Sequence, residues 1–159
     1  MTTSTIDRIL MQEAIKLAKT AAQKDEVPIG AVITLKNKII ARAHNQVEML
    51  KDPTAHAEML AITQATNYLS AKWLSECALY VTLEPCSMCA GALVLARIQK
   101  VYFGASDPKT GACGSVINIA RHKKLNHQFE IKRGILKEEC GGLLSEFFKK
   151  KRQLRVSIT

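Results

Sequence analysis

Short apolar runs alternate with segments of helical periodicity along this chain, and that alternation restricts the possible folds more than any other feature. Apolar residues spaced three and four apart predict helices, whereas continuous apolar runs bounded by turn residues predict buried strands. Strands separated by helices favour a layered α/β domain in which helices cover the sheet. The predicted strands are residues 29–35, 39–43, 78–83, 100–104 and a stretch within 129–135, and the predicted helices are residues 6–23, 54–69, 86–96, a short one near 117–121, and 137–152.

The composition fits one globular domain that carries an excess of positive charge. The chain has 159 residues, 47% of them apolar, and 23 basic residues against 14 acidic ones give a net charge of +9. A surplus of this size suggests a polyanionic partner. No apolar run is long enough for a transmembrane helix, so we expect no membrane partner. The chain has five cysteines, an odd number, and no recognisable secretory signal. Both observations favour a reducing compartment, so we expect a cytoplasmic protein.

Three potential metal ligands lie at the starts of two predicted helices. His56 opens one helix, while Cys86 and Cys89 fall in the first turn of another, three residues apart and therefore on one helical face. If the two helix starts face each other, the three side chains converge. One imidazole and two thiolates suit zinc and leave its fourth position open, as in catalytic rather than structural sites. The positive ends of the two helices should favour the thiolate form of both cysteines.

Glu58 follows His56 by two residues, close enough to reach a water at the metal without binding the metal itself. Zinc lowers the pKa of such a water from 15.7 to about 7, and a carboxylate can pass its proton to a substrate nitrogen. The order His-x-Glu followed by Pro-Cys-x-x-Cys is the signature of zinc nucleobase deaminases. Taken alone, the Cys-x-x-Cys pair could instead be a redox pair or half of a structural zinc knuckle.

Two segments around these residues resemble the bacterial tRNA-specific adenosine deaminases, a family within the cytidine deaminase superfamily. They read DPTAHAE at 52–58 and TLEPCSMCAGA at 82–92. The resemblance implies a three-layer cytidine-deaminase-like fold with a five-stranded mixed sheet covered by helices, and a homodimer. It also implies hydrolysis of the wobble adenosine, position 34 of a tRNA anticodon, to inosine and ammonia. Further similar segments are residues 27–32, 103–105, 107, 109–112, 138–140 and 147–148.

The same resemblance assigns roles to individual residues. His56, Cys86 and Cys89 match the ligands of one Zn²⁺ per subunit, and Glu58 matches the proton shuttle. No nucleotide cofactor is implied. We expect residues 1–159 to form a single zinc-dependent deaminase domain with a short basic C-terminal tail from about residue 149. Asn45 matches a residue that hydrogen-bonds the flipped base, and Leu83 and Glu84 match positions whose backbone lies at the pocket rim. Asp107 matches a residue that contacts the ribose of the neighbouring nucleotide.

The resemblance also implies contacts with the rest of the RNA. Phe147 matches a position on the helix that lies along the anticodon loop, and the RNA-backbone contacts on the same helix are Lys149, Lys150, Lys151 and Arg152.

Two other functions share parts of this pattern. A deaminase of free bases or nucleosides would use the same zinc chemistry but has no need of the basic ending. A zinc-stabilised RNA-binding module without catalysis would need neither Glu58 nor an open position on the metal. Basic residues at 121–124 and 149–152, the latter beside Phe147 and Phe148, suit single-stranded RNA loops, in which bases stack and phosphates are neutralised. We expect at least one of the two phenylalanines to lie in the core.

Overall fold

The computed structural model describes residues 3–158, in which one five-stranded sheet is flanked by helices. This part of the chain contains no helix that combines the length and the apolar character needed to cross a membrane. The strands are β1 (Gly30–Leu35), β2 (Lys38–His44), β3 (Cys77–Leu83), β4 (Lys100–Ala105) and β5 (Glu130–Arg133). The helices are α1 (Thr5–Gln23), α2 (Val47–Leu50), α3 (Ala57–Leu69), α4 (Ser87–Leu95) and α5 (Lys137–Ile158).

The sheet is mixed, as the sequence predicts, and its strands lie in the order β2-β1-β3-β4-β5. β1 is antiparallel to both of its neighbours, while β3, β4 and β5 are parallel. Four strands therefore run in one direction, and β1 alone runs against them. The carboxyl ends of β2, β3 and β4 consequently meet at a single edge, and the chain leaves that edge at Asn45, Glu84 and Ser106.

Helices cover both faces of this sheet and give the predicted three layers. On one face α3 buries Ala57, Ala61 and Ala65, which are four residues apart and form one stripe, and α4 packs beside it. On the opposite face α1 and α5 enclose a second apolar cluster around Val32 and Tyr80 of the sheet. The small side chains of α3 allow this helix to approach the sheet closely, so residues at its start are held near the carboxyl edge.

Several element boundaries differ from the predicted ones. The helix expected from residue 54 begins only at Ala57, because the Asp52 carboxylate accepts hydrogen bonds from the backbone and hydroxyl of Thr54 and holds a turn there. No helix or strand is predicted for residues 45–53, but they contain the short helix α2. The predicted helix near 117–121 is wrong, since a β-bridge between Cys113 and Asn118 keeps this segment irregular. The last helix continues six residues beyond Arg152, to Ile158.

Asp7, in the first turn of α1, is a buried carboxylate that ties this helix to the sheet. It is 5% exposed and accepts hydrogen bonds from Tyr80 Oη at 2.9 Å and from Lys132 Nζ at 3.2 Å. Ser4 and Asp7 also form a reciprocal capping box. Burial alone raises the pKa of Asp7, but the hydrogen bonds from Tyr80, Lys132 and Ser4 outweigh it and leave the pKa below its ordinary value of 3.8.

We predict that Asp7→Asn lowers the free energy of unfolding by about 1.5–3 kcal/mol at neutral pH, the typical value of hydrogen bonds to a charged group. A lowered pKa stabilises the fold fully above pH 3.8, and this stabilisation is lost as the pH falls through the folded-state pKa. The difference between wild type and variant should therefore shrink in acid. Urea denaturation at a series of pH values measures it.

Asp25→Asn provides the matched control for this variant. The Asp25 side chain is 87% exposed, and its backbone has a φ of 59°, which asparagine tolerates. We expect a change within about 0.5 kcal/mol. Equal effects of the two substitutions would contradict the role assigned to Asp7.

Candidate active site

The three predicted metal ligands do converge at the carboxyl edge of the sheet. His56 and Cys86 are the N-cap residues of α3 and α4, each with an extended backbone, and Cys89 lies one turn into α4. The Nδ1 atom of His56 is 3.6 Å from Cys86 Sγ and 3.5 Å from Cys89 Sγ. All three donor atoms lie within 4.8 Å of one another.

This spacing fits a tetrahedral metal ion. With Zn–S bonds of about 2.3 Å and Zn–N bonds of about 2.0–2.1 Å, a tetrahedral zinc would separate the nitrogen from each sulfur by about 3.6 Å. Cys86 is partly exposed, whereas Cys89 is buried. One imidazole and two sulfurs in this arrangement could therefore hold a metal ion and leave its fourth position to a water or a substrate.

The cluster already holds one thiolate before a metal binds. The hydrogen bond from Cys89, followed by that from His56, lowers the pKa of Cys86 to about 4 against the opposing effect of burial. The pKa of Cys89 is raised, first because its thiol donates to Cys86 and second because it is buried. The pKa shift at Cys86 thus has the direction that the sequence analysis expects, whereas the pKa shift at Cys89 has the opposite direction. The hydrogen bond with Cys86 also raises the pKa of His56.

Glu58 lies in the first turn of α3 and is only 3% exposed. Its Oε1 is the only fully buried side-chain oxygen or nitrogen within residues 3–158 that has no hydrogen-bond partner. Burial is the main reason why its pKa is raised above the ordinary value, and the charge of His56 opposes this shift. A buried carboxylate oxygen without a partner is costly, and at this position it fits a group that exchanges protons with a water or a substrate.

Asn45 lies where β2 ends and is tied to the helix that carries the histidine. It is 5% exposed, and its Oδ1 accepts a hydrogen bond of 2.8 Å from the backbone N–H of Ala57. The side-chain oxygen of Asn45 is thus already hydrogen-bonded within the protein, while the amide nitrogen has no acceptor among the described residues. The side chain is fixed in orientation and keeps two N–H donors for another partner.

Leu83 and Glu84 follow at the end of β3. Leu83 is half-buried, but Glu84 is 2% exposed and its carboxylate points into the protein, where it accepts hydrogen bonds from backbone N–H groups of the segment after β4. Asp107 belongs to that segment. Its carboxylate accepts hydrogen bonds from the backbone of Lys109 and from the backbone and hydroxyl of Thr110, so it shapes its own turn.

The predicted RNA-binding residues lie on α5, across the sheet from α3 and α4. Phe147 is half-buried and Phe148 is 45% exposed, so the expectation that at least one is a core residue is wrong. The two rings pack edge to face at 5.4 Å, and Lys151 Nζ lies 5.4 Å from the centre of the Phe147 ring. Lys149, Lys150, Lys151 and Arg152 lie within α5, as the predicted helix over 137–152 requires, and of these only Lys151 is partly buried.

Glu26 is a buried residue of this region that the sequence analysis missed. It is 1% exposed, and its two carboxylate oxygens accept hydrogen bonds from the backbone N–H groups of Glu48 and Met49 at 2.9 and 2.8 Å. It therefore caps α2, which lies between Asn45 and His56. An acidic residue between a helix end and an apolar strand predicts a solvent-exposed turn, and no local pattern shows that the carboxylate caps a helix more than 20 residues away.

Comparison with known proteins assigns this chain to a family. Residues 6–152 match the family model of the MafB19-like deaminases. A tRNA-specific adenosine deaminase of Bacillus subtilis is 53% identical over 159 residues, with 98% of this chain and 99% of that protein covered. One from Aquifex aeolicus is 55% identical over 142 residues, 89% of this chain and 93% of that protein. The chain belongs to the tRNA-specific adenosine deaminase family.

Solved structures agree with this membership in the tRNA-specific adenosine deaminase family. A structure from work on A-to-I editing by tRNA:A34 deaminases at the wobble position superimposes with a TM-score of 0.83 and 41% identity, covering 86% of this chain and 99% of that one. A guanine deaminase from Bacillus subtilis superimposes with a TM-score of 0.60 and 40% identity over only 62% of this chain and 63% of that chain. Of these two structures, the one from the work on tRNA:A34 deaminases matches over the larger share of both chains.

We predict that metal binding at this site releases protons and weakens in acid. Bound ligands are a neutral imidazole and thiolates, whereas the raised pKa values of Cys89 and His56 favour the protonated forms of both side chains in the metal-free protein. The affinity for zinc should fall about tenfold per pH unit for each proton displaced. Competition titration with a zinc-binding dye at several pH values measures this slope.

Cys140→Ala is the control for the titration. Cys140 is a fully buried thiol outside the cluster, so its removal should leave the pH slope unchanged. A zinc affinity that did not change with pH would mean that the ligands are already deprotonated and would contradict the prediction.

Proposed function

We propose that this protein is a tRNA-specific adenosine deaminase that hydrolyses the wobble adenosine, position 34 of a tRNA anticodon, to inosine and ammonia. The observation that carries the proposal is the unpartnered Oε1 of Glu58, buried beside a cluster of one imidazole and two sulfurs. Proteins that are 53% and 55% identical are named for this activity. An isolated metal-binding function would leave the buried carboxylate without a purpose.

His56, Cys86 and Cys89 would hold one Zn²⁺ per subunit. The spacing between the His56 nitrogen and the two sulfurs supports zinc, because soft sulfur ligands in a tetrahedral arrangement are typical of this ion. When bound, zinc lowers the pKa of water at the site to about 7 and so supplies hydroxide at neutral pH. The thiolate already present at Cys86 would help to capture the ion.

Glu58 moves the protons of the reaction. Its Oε1 takes a proton from the attacking water and delivers it to N1 of adenine, while the water oxygen adds to C6. The same carboxylate then transfers the second proton to the N6 amine, which leaves as ammonia. The raised pKa of Glu58 suits both steps, because a group whose pKa lies closer to the working pH can accept and donate a proton.

The remaining pocket residues orient the substrate. The amide nitrogen of Asn45 would donate to an acceptor on the flipped base, held in place by the bond from Ala57. The backbone of Leu83 and Glu84 would line the rim, and Asp107 would meet the ribose of the neighbouring nucleotide. Flipping costs little here, because the anticodon loop is already unpaired.

The basic end of α5 would bind the RNA backbone. Lys151 Nζ lies 3.9 Å from a carboxylate oxygen of Asp25, which places this segment beside the turn that holds Glu26. Glu26 in turn caps α2, next to Asn45. These contacts link the basic end of α5, through the turn at Asp25 and Glu26, to the segment that follows Asn45. A homodimer, as the resemblance implies, and a cytoplasmic location belong to this proposal, and the five free cysteines suit a reducing compartment.

The experiment that tests the proposal is deamination by the purified zinc-loaded protein. The substrate is an anticodon stem-loop with adenosine at the wobble position, and free guanine, cytidine and adenosine are assayed alongside it. We expect inosine in the stem-loop and ammonia in equal amount. Activity only on a free base or nucleoside would favour the alternative suggested by the guanine deaminase likeness and would overturn the tRNA proposal.

Glu58→Ala is the decisive variant in the same assay. Removal of the carboxylate should reduce turnover by at least a hundred- to ten-thousand-fold, roughly the range of general acid–base catalysis. Zinc content and stem-loop affinity should stay at wild-type levels, since Glu58 binds neither. Glu48→Ala, an exposed glutamate on α2, is the control and should remain active. Loss of zinc in Glu58→Ala would count against the shuttle role.

RNA binding through α5 predicts a specific dependence on salt. Lys149 and Arg152 lie one helical turn apart and line the same shallow surface hollow, so both can face one strand. Each phosphate contact to a single strand contributes about −0.7 to the slope of log affinity against log salt. Substitution of both residues by alanine should therefore make the slope less negative by about 1.4. Fluorescence anisotropy of a labelled stem-loop measures the slope.

The control for this measurement removes the same charge elsewhere. Lys16 and Lys19 are exposed on α1, and their replacement by alanine should leave the slope nearly unchanged. An equal change in both double variants would show that net charge, rather than a contact with α5, determines the affinity.

A further inference from the structure

The carboxylate of Glu84 is the anchor of an irregular segment, residues 106–115, that we name the Asp107 loop. Oε1 accepts a hydrogen bond from the backbone N–H of Asp107 at 3.1 Å and another from the hydroxyl of Ser115. Oε2 accepts from the backbone N–H groups of Cys113 at 3.0 Å and Ser115 at 3.1 Å. Both ends of the loop are thus tied to one buried side chain.

The Asp107 loop contains no helix or strand of its own, and besides Glu84 it is held by Arg133 of β5, whose Nη2 donates a 3.2 Å hydrogen bond to the carbonyl of Cys113. It leaves β4 at Ala105, and β5 begins only at Glu130. The loop passes over the start of α4, where Ala112 N donates to the carbonyl of Pro85 and Gly111 forms a β-bridge with Cys86. Gly111 fits closely, because a Cβ at this position would overlap Glu84 Oε2.

The carboxylate of Glu84 is therefore fully hydrogen-bonded within the protein. Its side chain is 2% exposed and surrounded by N–H and O–H donors of the loop, and an ionised carboxylate accepts such bonds more strongly than a neutral group does. The carboxylate of Asp107 holds its own turn through Lys109 and Thr110, so the position of that turn depends on the bond from Asp107 N to Glu84.

We propose that Glu84 is a positioning residue for tRNA deamination: through its bonds to Asp107, Cys113 and Ser115 it holds the Asp107 loop where that loop can meet the nucleotide beside the target adenosine. This inference rests on the proposed function. It assigns Glu84 no contact between its carboxylate and the RNA, and its effect on the reaction passes through Asp107.

Glu84→Gln tests the proposal with almost no change in shape. The glutamine oxygen can replace Oε2 toward Cys113 and Ser115, and its NH₂ group can donate to the Ser115 hydroxyl, but the N–H of Asp107 then faces another donor. We expect KM for the anticodon stem-loop to rise roughly ten- to a hundred-fold, the scale of a small misplacement. We expect kcat to stay within about threefold and the zinc content to remain complete.

A double-mutant cycle shows whether Glu84 acts through Asp107. Asp107→Ala alone should raise KM, and the addition of Glu84→Gln should raise it little further, because both changes remove the same contact. Fully additive effects, or a fall of kcat with unchanged KM, would overturn the proposal. Glu139→Gln, at an exposed glutamate of α5, is the matched control.

A second readout needs no substrate and so separates this inference from the proposed function. Cys113 belongs to the loop and is fully buried, and in Glu84→Gln we expect its labelling by a thiol reagent to accelerate at least tenfold in the zinc-loaded protein. Labelling at the wild-type rate would overturn the proposal. If Glu84→Gln fails to fold, Ser115→Ala, which removes only one bond to Oε1, should give the same changes at smaller size.

Discussion

The arrangement of the whole site depends on the direction of the strands. Because β1 alone runs against the other four, the carboxyl ends of β2, β3 and β4 meet at one edge. Asn45, Cys86 and Asp107 follow those three ends, although they are far apart in the sequence. Helices α3 and α4 then start at the same edge, so their N-cap residues His56 and Cys86 face each other. Parallel sheets commonly place their sites at this edge.

The three buried glutamates near this edge have different roles. Both carboxylate oxygens of Glu26 and of Glu84 accept hydrogen bonds from backbone N–H groups. Glu26 thereby holds α2, and Glu84 holds the Asp107 loop. Glu58 alone has an oxygen without a partner. The hydrogen bonds of Glu26 and Glu84 give both carboxylates a structural role, whereas the oxygen of Glu58 without a partner fits a role in the reaction.

Much of this was predictable from the sequence, and the failures have physical causes. The sheet, the two helix starts and the ligand set follow from apolar periodicity and from residue spacing, both of which are local. The partners of Glu26 and Glu84 lie more than 20 residues away in sequence, and no single-sequence pattern records such contacts. A short helix is predicted near residue 117, but the β-bridge between Cys113 and Asn118 keeps this segment irregular. At least one of the Phe147 and Phe148 rings is predicted in the core, because adjacent helical positions cannot both face solvent, yet neither ring is buried.

The unpartnered oxygen of Glu58 also has a consequence for the protein outside its reaction. Burying a polar group without a hydrogen bond costs about 1–3 kcal/mol, a sizeable share of the stability of an ordinary domain. A metal ion and its water in the cluster would relieve that cost, and any ligand that binds only the folded chain shifts the folding equilibrium toward it. Binding of a metal ion would then raise the free energy of unfolding as well as supply the chemistry of the site.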